Sequence, residues 1–133
     1  MVADSLLSLK EEFEREITPL DVLAGVLYFF GDNVEFTTNY EKIHRAFNEL
    51  RDTPLLKEFI FLGGGPYPYS ELLENVFSRL SISGLIRCEN PDYRRFRITE
   101  EQRRRIEESV LKKFSNSQRE QLREISRHIL ERL

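Results

Sequence analysis

Cysteine, histidine and tryptophan are almost missing from this sequence. Of its 133 residues one is cysteine (Cys88), two are histidine (His44 and His128) and none is tryptophan. A single thiol excludes an internal disulfide framework and is typical of a reducing cytoplasm. A structural zinc site needs about four ligands, and no close Cys/His spacing exists to supply them. The sequence therefore predicts no metal site and no cofactor.

Long apolar runs are also missing. The longest one, residues 22–30, is much shorter than the roughly 20 residues that a membrane-spanning helix needs. The N-terminal segment carries Asp4 and then polar and charged residues from position 8 to position 16, unlike a secretory signal peptide. Residues 1–133 are therefore expected to form one soluble, cytoplasmic domain without a membrane partner.

Charge of one sign is not in strong excess. The formal net charge is −3, which argues against a protein that binds nucleic acid through charge alone. A local basic patch can still bind DNA on an acidic protein, so the charge has to be considered region by region.

No arrangement of residues typical of a catalytic site is visible. The carboxylates fall on the outer faces of predicted helices, where ion pairs within one helix explain them. The glycine run 63–65 is followed by Pro66-Tyr67-Pro68 instead of the Lys-Ser/Thr of a phosphate-binding loop, so it predicts a turn. We expect a protein that is not an enzyme.

The elements that are present are mostly amphipathic helices. Apolar residues at helical spacing predict a helix over residues 5–17, and Thr18 with Asp21 predicts an N-terminal cap for a second helix, apolar on nearly all sides, over residues 20–30. Thr38 is predicted to cap a third helix that ends near Asp52 and has Tyr40, Ile43, Phe47 and Leu50 on its inner face. Residues 59–62 are ambiguous, and we favour an extended conformation that pairs with the strands further along.

The region from Pro66 to Thr99 suggests a specific architecture. Ser70 is predicted to cap a helix that Gly84 ends. The predicted buried stripe of this helix is Leu72, Leu73, Val76, Phe77 and Leu80. Residues 85–89 and 93–98 then have the pattern of two strands around the turn Asn90-Pro91-Asp92. A helix followed by a short hairpin is typical of the second half of a winged-helix (helix-turn-helix) domain. The predicted fold class is therefore mainly α with a small antiparallel β-hairpin, as a winged-helix core over residues 18–99.

Two further helices follow this core. Thr99 with Gln102 predicts the cap of one, and Ser117 with Glu120 predicts the cap of the other. They are expected to form a C-terminal helical extension over residues 100–133. Amphipathic helices of this kind dock on their own domain or on a second copy, so a homodimer is a further expectation.

A family resemblance rests on residues 65–73, Gly-Pro-Tyr-Pro-Tyr-Ser-Glu-Leu-Leu, followed by Leu80 and Gly84-Leu85-Ile86. This segment resembles the Gly-Pro-Tyr-Ser…Leu…Gly-Leu-Ile signature of YwgA-like proteins and, more distantly, of Panacea (SocA-like) antitoxin domains. The pattern of helix, hairpin and Thr-Glu-Glu is also similar to PadR-type regulators. The resemblance covers about a quarter of the chain, contains an additional Tyr-Pro, and implies a winged-helix fold more strongly than it implies a partner.

Basic residues near the predicted hairpin suggest double-stranded DNA as a partner. Arginine forks suit phosphate oxygens, so the hairpin arginines are candidate phosphate contacts, and two residues of the preceding helix are candidate groove contacts. These predicted DNA-binding residues are Asn75, Arg79, Arg87, Arg94, Arg95 and Arg97. The alternative interpretation is that the arginines cover the exposed face and edge of a small sheet.

A protein partner is the second interpretation. The helix that would read the groove begins with Glu71 and Glu74, whose charges oppose those of phosphates. Tyr67, Tyr69 and their two prolines form an exposed-looking loop. The sequence therefore predicts a winged-helix DNA-binding transcriptional regulator, with a non-catalytic protein-interaction or adaptor module (antitoxin-like or a complex subunit) as the alternative.

Overall fold

The computed structural model describes residues 17–31, 35–37, 40–84, 87–90 and 95–133. This part of the chain contains five α-helices and three short strands. In chain order they are α1 (Pro19–Tyr28), β1 (Glu35–Thr37), α2 (Tyr40–Glu49), α3 (Glu71–Ser83), β2 (Arg87–Asn90), β3 (Arg95–Arg97), α4 (Glu100–Ser109) and α5 (Asn116–Arg132). Single 3-10 turns lie at Pro54–Leu56 and Leu111–Lys113.

Helix α1 begins as the sequence predicts. The Thr18 hydroxyl accepts a hydrogen bond from the Asp21 backbone N–H, and the Asp21 carboxylate accepts one from the Thr18 N–H, which completes a capping box. Pro19 occupies the first turn, where its missing N–H costs nothing. All side chains from Asp21 to Leu27 are buried, which confirms the prediction of a central helix.

Helix α5 also lies in the core. It packs against both α1 and α2, and it buries Leu122, Ile125 and Ile129. Its Leu122 side chain packs directly on Gly25 of α1, where an added Cβ would lie 2.8 Å from a methyl carbon of Leu122. A side chain at position 25 would therefore have to displace the Leu122 side chain.

Helix α3 has the ends that its sequence predicts. The Ser70 hydroxyl accepts a hydrogen bond from the Leu73 N–H at the N-terminus, and Gly84 adopts a left-handed φ of 80° at the C-terminus. The predicted stripe faces inward: Leu73, Val76, Phe77 and Leu80 are buried. Both caps and the buried face of α3 are therefore confirmed.

The last two helices are separated by a short turn. Thr99 and Gln102 form the predicted capping box of α4. The cap of α5 differs from the prediction: Ser115 with Gln118 forms the capping box, two residues before the predicted Ser117 and Glu120. The reason is that the preceding 3-10 turn ends at Lys113 and leaves Phe114 extended, so the next helix begins earlier.

The strands form a three-stranded antiparallel sheet in the order β1–β3–β2. Phe36 and Cys88 both align with Phe96 of the central strand β3. The segment expected to join these strands does not do so, because Leu62 forms its single bridge with Tyr69 instead. The predicted pairing of residues 59–62 with the hairpin strands is therefore wrong among the described residues.

The winged-helix prediction with its β-hairpin wing is corrected by this architecture. The domain is mainly helical, and the side chains of its described core come from the helices and the segments that join them. A wing needs a closed hairpin, whereas residues 91–94 lie outside the described chain, which therefore shows no wing. The last helix packs against α1 and α2 and so takes part in the central packing. The hairpin was predicted from local turn residues. Local patterns of this kind do not predict tertiary contacts, such as the packing of α5 against α1 and α2.

The predicted N-terminal helix over residues 5–17 lies outside the described residues apart from Ile17, and so does the predicted Thr38 cap.

Candidate functional site

The structure describes the side chains of three of the six predicted DNA-binding residues, Asn75, Arg79 and Arg97. Asn75 and Arg79 are exposed and lie one turn apart on α3. Arg97, at the end of β3, is partly buried. Arg87 and Arg95 belong to β2 and β3, where Arg87 aligns with Arg97, but their side chains are outside the description, as is the whole of Arg94. The described part therefore does not show a continuous basic surface made by these residues.

A more defined arrangement surrounds His44 on α2, whose side chain is fully buried. Its Nδ1 accepts a hydrogen bond from the Ser70 backbone N–H at 3.0 Å. Its Nε2 lies 2.9 Å from Oε1 of Glu74 on α3. Because Nδ1 accepts, the proton belongs on Nε2, which donates to the carboxylate. One buried imidazole thus connects α2, the start of α3 and the segment before it.

Aromatic rings enclose this histidine. The ring of Tyr69 stacks on it, with centroids 4.6 Å apart and planes 16° apart. Tyr67 lies 5.9 Å away, and Phe61 meets the imidazole edge-on at 6.4 Å. Stacked and edge-on geometries of this kind add to the stability that burial alone provides. His44 therefore holds both sides of the loop over residues 61–69 against α2.

We call residues 59–70 the arm. Its two sides are joined by a pair of hydrogen bonds between the backbones of Leu62 and Tyr69, at 2.9 and 3.2 Å. Gly64 turns the chain with a φ of 100°, a conformation that side chains disfavour. The Arg45 guanidinium donates to the carbonyl oxygen of Pro66 at 3.2 Å, which fixes the tip of the arm to α2. The glycine run is thus part of a turn, as predicted from the sequence.

The outer side of the arm is apolar. Ile60 is 69% exposed, Leu62 is 67% exposed and Tyr69 is 39% exposed. Ile60 and Leu62 alternate with the less exposed Phe59 and Phe61, a pattern that places the two aliphatic side chains on the same side of the segment. We call these three side chains the arm surface. The neighbouring Phe59 is buried in the core, and it anchors this end of the arm to the rest of the domain.

The residues near His44 do not have the geometry of a hydrolase. Ser70, His44 and Glu74 are residue types that a catalytic triad uses, yet His44 contacts the backbone N–H of Ser70 and not its hydroxyl. The Ser70 hydroxyl instead caps α3 by accepting from the Leu73 N–H. Both imidazole nitrogens are occupied, so neither can take a proton from the serine. The arrangement stabilises structure at this position.

Sequence reasoning missed His44 because it assigned the inner face of α2 to Tyr40, Ile43, Phe47 and Leu50. The structure buries His44 beside Ile43 and Phe47. The sequence did contain a signal for this site: His44 lies next to Ile43 of that stripe, and Tyr67 and Tyr69 precede the start of α3.

Two further observations concern metal binding and membrane crossing. In the described ranges, no group of three or more His, Cys, Asp or Glu residues is placed to hold a metal ion. None of the helices in these ranges has the length and apolarity that crossing a membrane requires.

Comparison with known protein families, with curated proteins and with solved structures finds no match to this chain. The resemblance to YwgA-like, Panacea and PadR-type proteins therefore stays a prediction.

Proposed function

We propose that this protein is a non-catalytic protein-interaction module that binds its partner through the arm surface. The observation that carries the proposal is the exposure of Ile60 and Leu62, two large aliphatic side chains two residues apart, beside the buried Phe59. Single exposed apolar residues are ordinary on proteins, whereas adjacent ones on a fixed segment mark interaction sites.

The rigidity of the arm supports this function. The stacking of Tyr69 on His44 and the bond from Arg45 to Pro66 hold the arm in place before any partner arrives. A surface that is already ordered loses less entropy on binding. Tyr69 adds a ring and a hydroxyl at the edge of the patch, a composition that is enriched in protein interfaces. The lone thiol Cys88 supports a cytoplasmic site of action.

The test is the double substitution Ile60→Asp with Leu62→Asp. Ile82 on α3 is 87% exposed, so Ile82→Asp is a matched control that changes the same residue type elsewhere. Captured from native lysate, the wild type and the Ile82 variant should retain the same stoichiometric partner, and the double variant should lose it. Thermal melting should be alike for all three, because the altered side chains are exposed.

A partner held equally well by the double variant would contradict the proposal. Recovery of a homodimer alone, together with salt-dependent binding of duplex DNA, would also contradict it and favour the second function below.

DNA binding is the second candidate, supported by one feature of α3. Asn75 and Arg79 are both exposed at a spacing of four residues, which places them on one side of the helix. Glu71, exposed one turn earlier, opposes phosphate binding there. If this face binds DNA, anisotropy of a mixed duplex should show affinity that falls steeply with salt and is weakened by Arg79→Glu. No binding at low salt would exclude this candidate.

A further inference from the structure

A groove on another part of the molecule concentrates basic side chains over aromatic rings. It lies where the C-terminal end of α1 meets α4 and α5, and its volume is about 560 Å³. Its charged and aromatic residues include Tyr28, Phe29, Arg103, Lys112, Arg119 and Arg123. We call it the basic groove. It is separate from the arm and from the predicted DNA-binding residues.

Positive charge is in clear excess in the basic groove, although the chain as a whole has a net negative charge. Four of its lining residues are cationic, and Glu107 is its one carboxylate among the described residues. Glu107 also accepts a hydrogen bond from the Tyr28 hydroxyl. Within the described chain, Lys112 and Arg119 form no ion pair. Arg123 pairs with Glu120 at 2.7 Å, whereas cations that no described carboxylate neutralises, such as Lys112 and Arg119, attract an anion.

The arginines are held in fixed positions. The Arg103 guanidinium lies 4.2 Å from the centre of the Tyr28 ring and donates through Nε to the Tyr28 carbonyl oxygen. The Arg123 guanidinium lies 5.1 Å from the centre of the Phe29 ring. Arg119 donates to the carbonyl oxygen of Leu111 at 2.8 Å. Guanidinium groups ordered in this way bind phosphate oxygens with little further loss of freedom.

We propose that the basic groove binds a nucleotide. The guanidinium groups of its arginines and the ammonium group of Lys112 would contact the phosphates. The base would stack on the Arg103–Tyr28 or Arg123–Phe29 pair, because bases stack on both guanidinium groups and aromatic rings. The volume of the groove lies within the range of small-molecule sites, which fits one nucleotide. The nucleotide could be free or part of a nucleic-acid strand, and both supply the same phosphate and base.

The experiment measures binding to the intact protein at low salt. ATP, inorganic tripolyphosphate, adenosine and a short oligo(dT) strand are titrated separately by calorimetry. We expect saturable binding of ATP that is tighter than binding of tripolyphosphate or adenosine. Tighter binding of the oligonucleotide than of ATP would assign the site to a nucleotide within a strand and would equally support the proposal.

Two variants locate the binding. Lys112→Glu should weaken ATP binding by about tenfold, because a repulsive charge replaces an attractive one beside the phosphates. Lys57→Glu makes the same change of charge at an exposed position outside the groove and should leave the affinity unaltered. Arg123→Gln should reduce the preference for ATP over tripolyphosphate, an effect that loss of stability alone would not produce. Circular dichroism melting checks that each variant folds.

Three results would overturn the proposal. They are no binding of ATP or oligonucleotide at low salt, equal binding of ATP and tripolyphosphate, and equal effects of Lys112→Glu and Lys57→Glu.

Discussion

At the scale of single residues, His44 has the clearest structural role. It is fully buried, and its two ring nitrogens bond to Ser70 and Glu74. Replacing it removes the acceptor for one buried N–H and the donor to one partly buried carboxylate. The buried Ser70 N–H then bears the cost of desolvation without a hydrogen bond, and Glu74 loses its contact with the imidazole.

We therefore expect His44→Ala to lower the free energy of unfolding by roughly 2–4 kcal/mol, from the lost hydrogen bonds and the cavity together. Denaturant unfolding measures the loss, and amide exchange should show the Ser70 N–H exposed first. His128→Ala is the comparison, because that ring contacts Glu49 near the surface and should cost much less. Equal losses for the two variants would contradict the role given to His44.

Glu49 gives a prediction that depends on pH. A hydrogen bond from His128 lowers the pKa of the Glu49 carboxyl below its ordinary value of 4.5, with Arg132 contributing in the same direction. The unfolded state therefore binds a proton more readily than the folded state does. The resulting stabilisation is fully present above pH 4.5 and disappears as the pH falls through the folded pKa.

For Glu49→Gln we expect a small loss of stability at pH 7, below about 1 kcal/mol because the pair is half exposed to solvent. The difference between variant and wild type should shrink as the pH falls below 4.5. Denaturant unfolding at a series of pH values measures this. A difference that grows on acidification would have the wrong sign for this mechanism.

At the scale of elements, the caps were the most predictable features. Thr18 with Asp21, Ser70 and Thr99 with Gln102 all cap the helices that the sequence assigned to them, because a cap is a contact between residues three apart. The start of α5 was misplaced by two residues because Ser115 and Ser117 both satisfy the same local rule. Only the path of residues 111–114, which depends on their burial, distinguishes the two serines.

The two serines provide a direct experiment. Ser115→Ala should destabilise the protein by about 1 kcal/mol, because the Gln118 N–H loses its acceptor. Ser117→Ala should be close to neutral, since Ser117 is exposed within the first turn of α5. Thermal melts of both variants measure the difference. A larger loss for Ser117→Ala would restore the original assignment of the cap.

At the scale of the whole molecule, the sequence predicted which helix faces are buried, but it did not predict which elements cover those faces. The apolar character of α1 indicated a central helix, and the stripe of α3 indicated its inner face. The partner of α5 could not be predicted, because an amphipathic helix has the same pattern whether it packs on its own domain or on another copy. The arm surface was unpredictable for a similar reason, since exposure of Ile60 and Leu62 is decided by tertiary packing.

Deletion of residues 115–133 tests the place of α5 in the core. Its loss would expose the faces of α1 and α2 that now contact Leu122, Ile125 and Ile129. We expect the truncated chain to lack a cooperative unfolding transition. The free energy gained by burying the apolar side chains of α5 exceeds the small free energy of unfolding of a typical domain. Calorimetry and near-UV circular dichroism measure this. A truncated chain that still melts cooperatively would show that α5 is dispensable.

The close approach of Gly25 to Leu122 also has a consequence for synthesis in the cell. Translation proceeds at about 5–20 residues per second, so α1 leaves the ribosome several seconds before α5 does. During that interval the side of α1 that α5 covers stays exposed, although α3 and α4 can already pack on its other sides. The nascent chain should therefore depend on chaperones until α5 emerges, because the core around Gly25 cannot close before then.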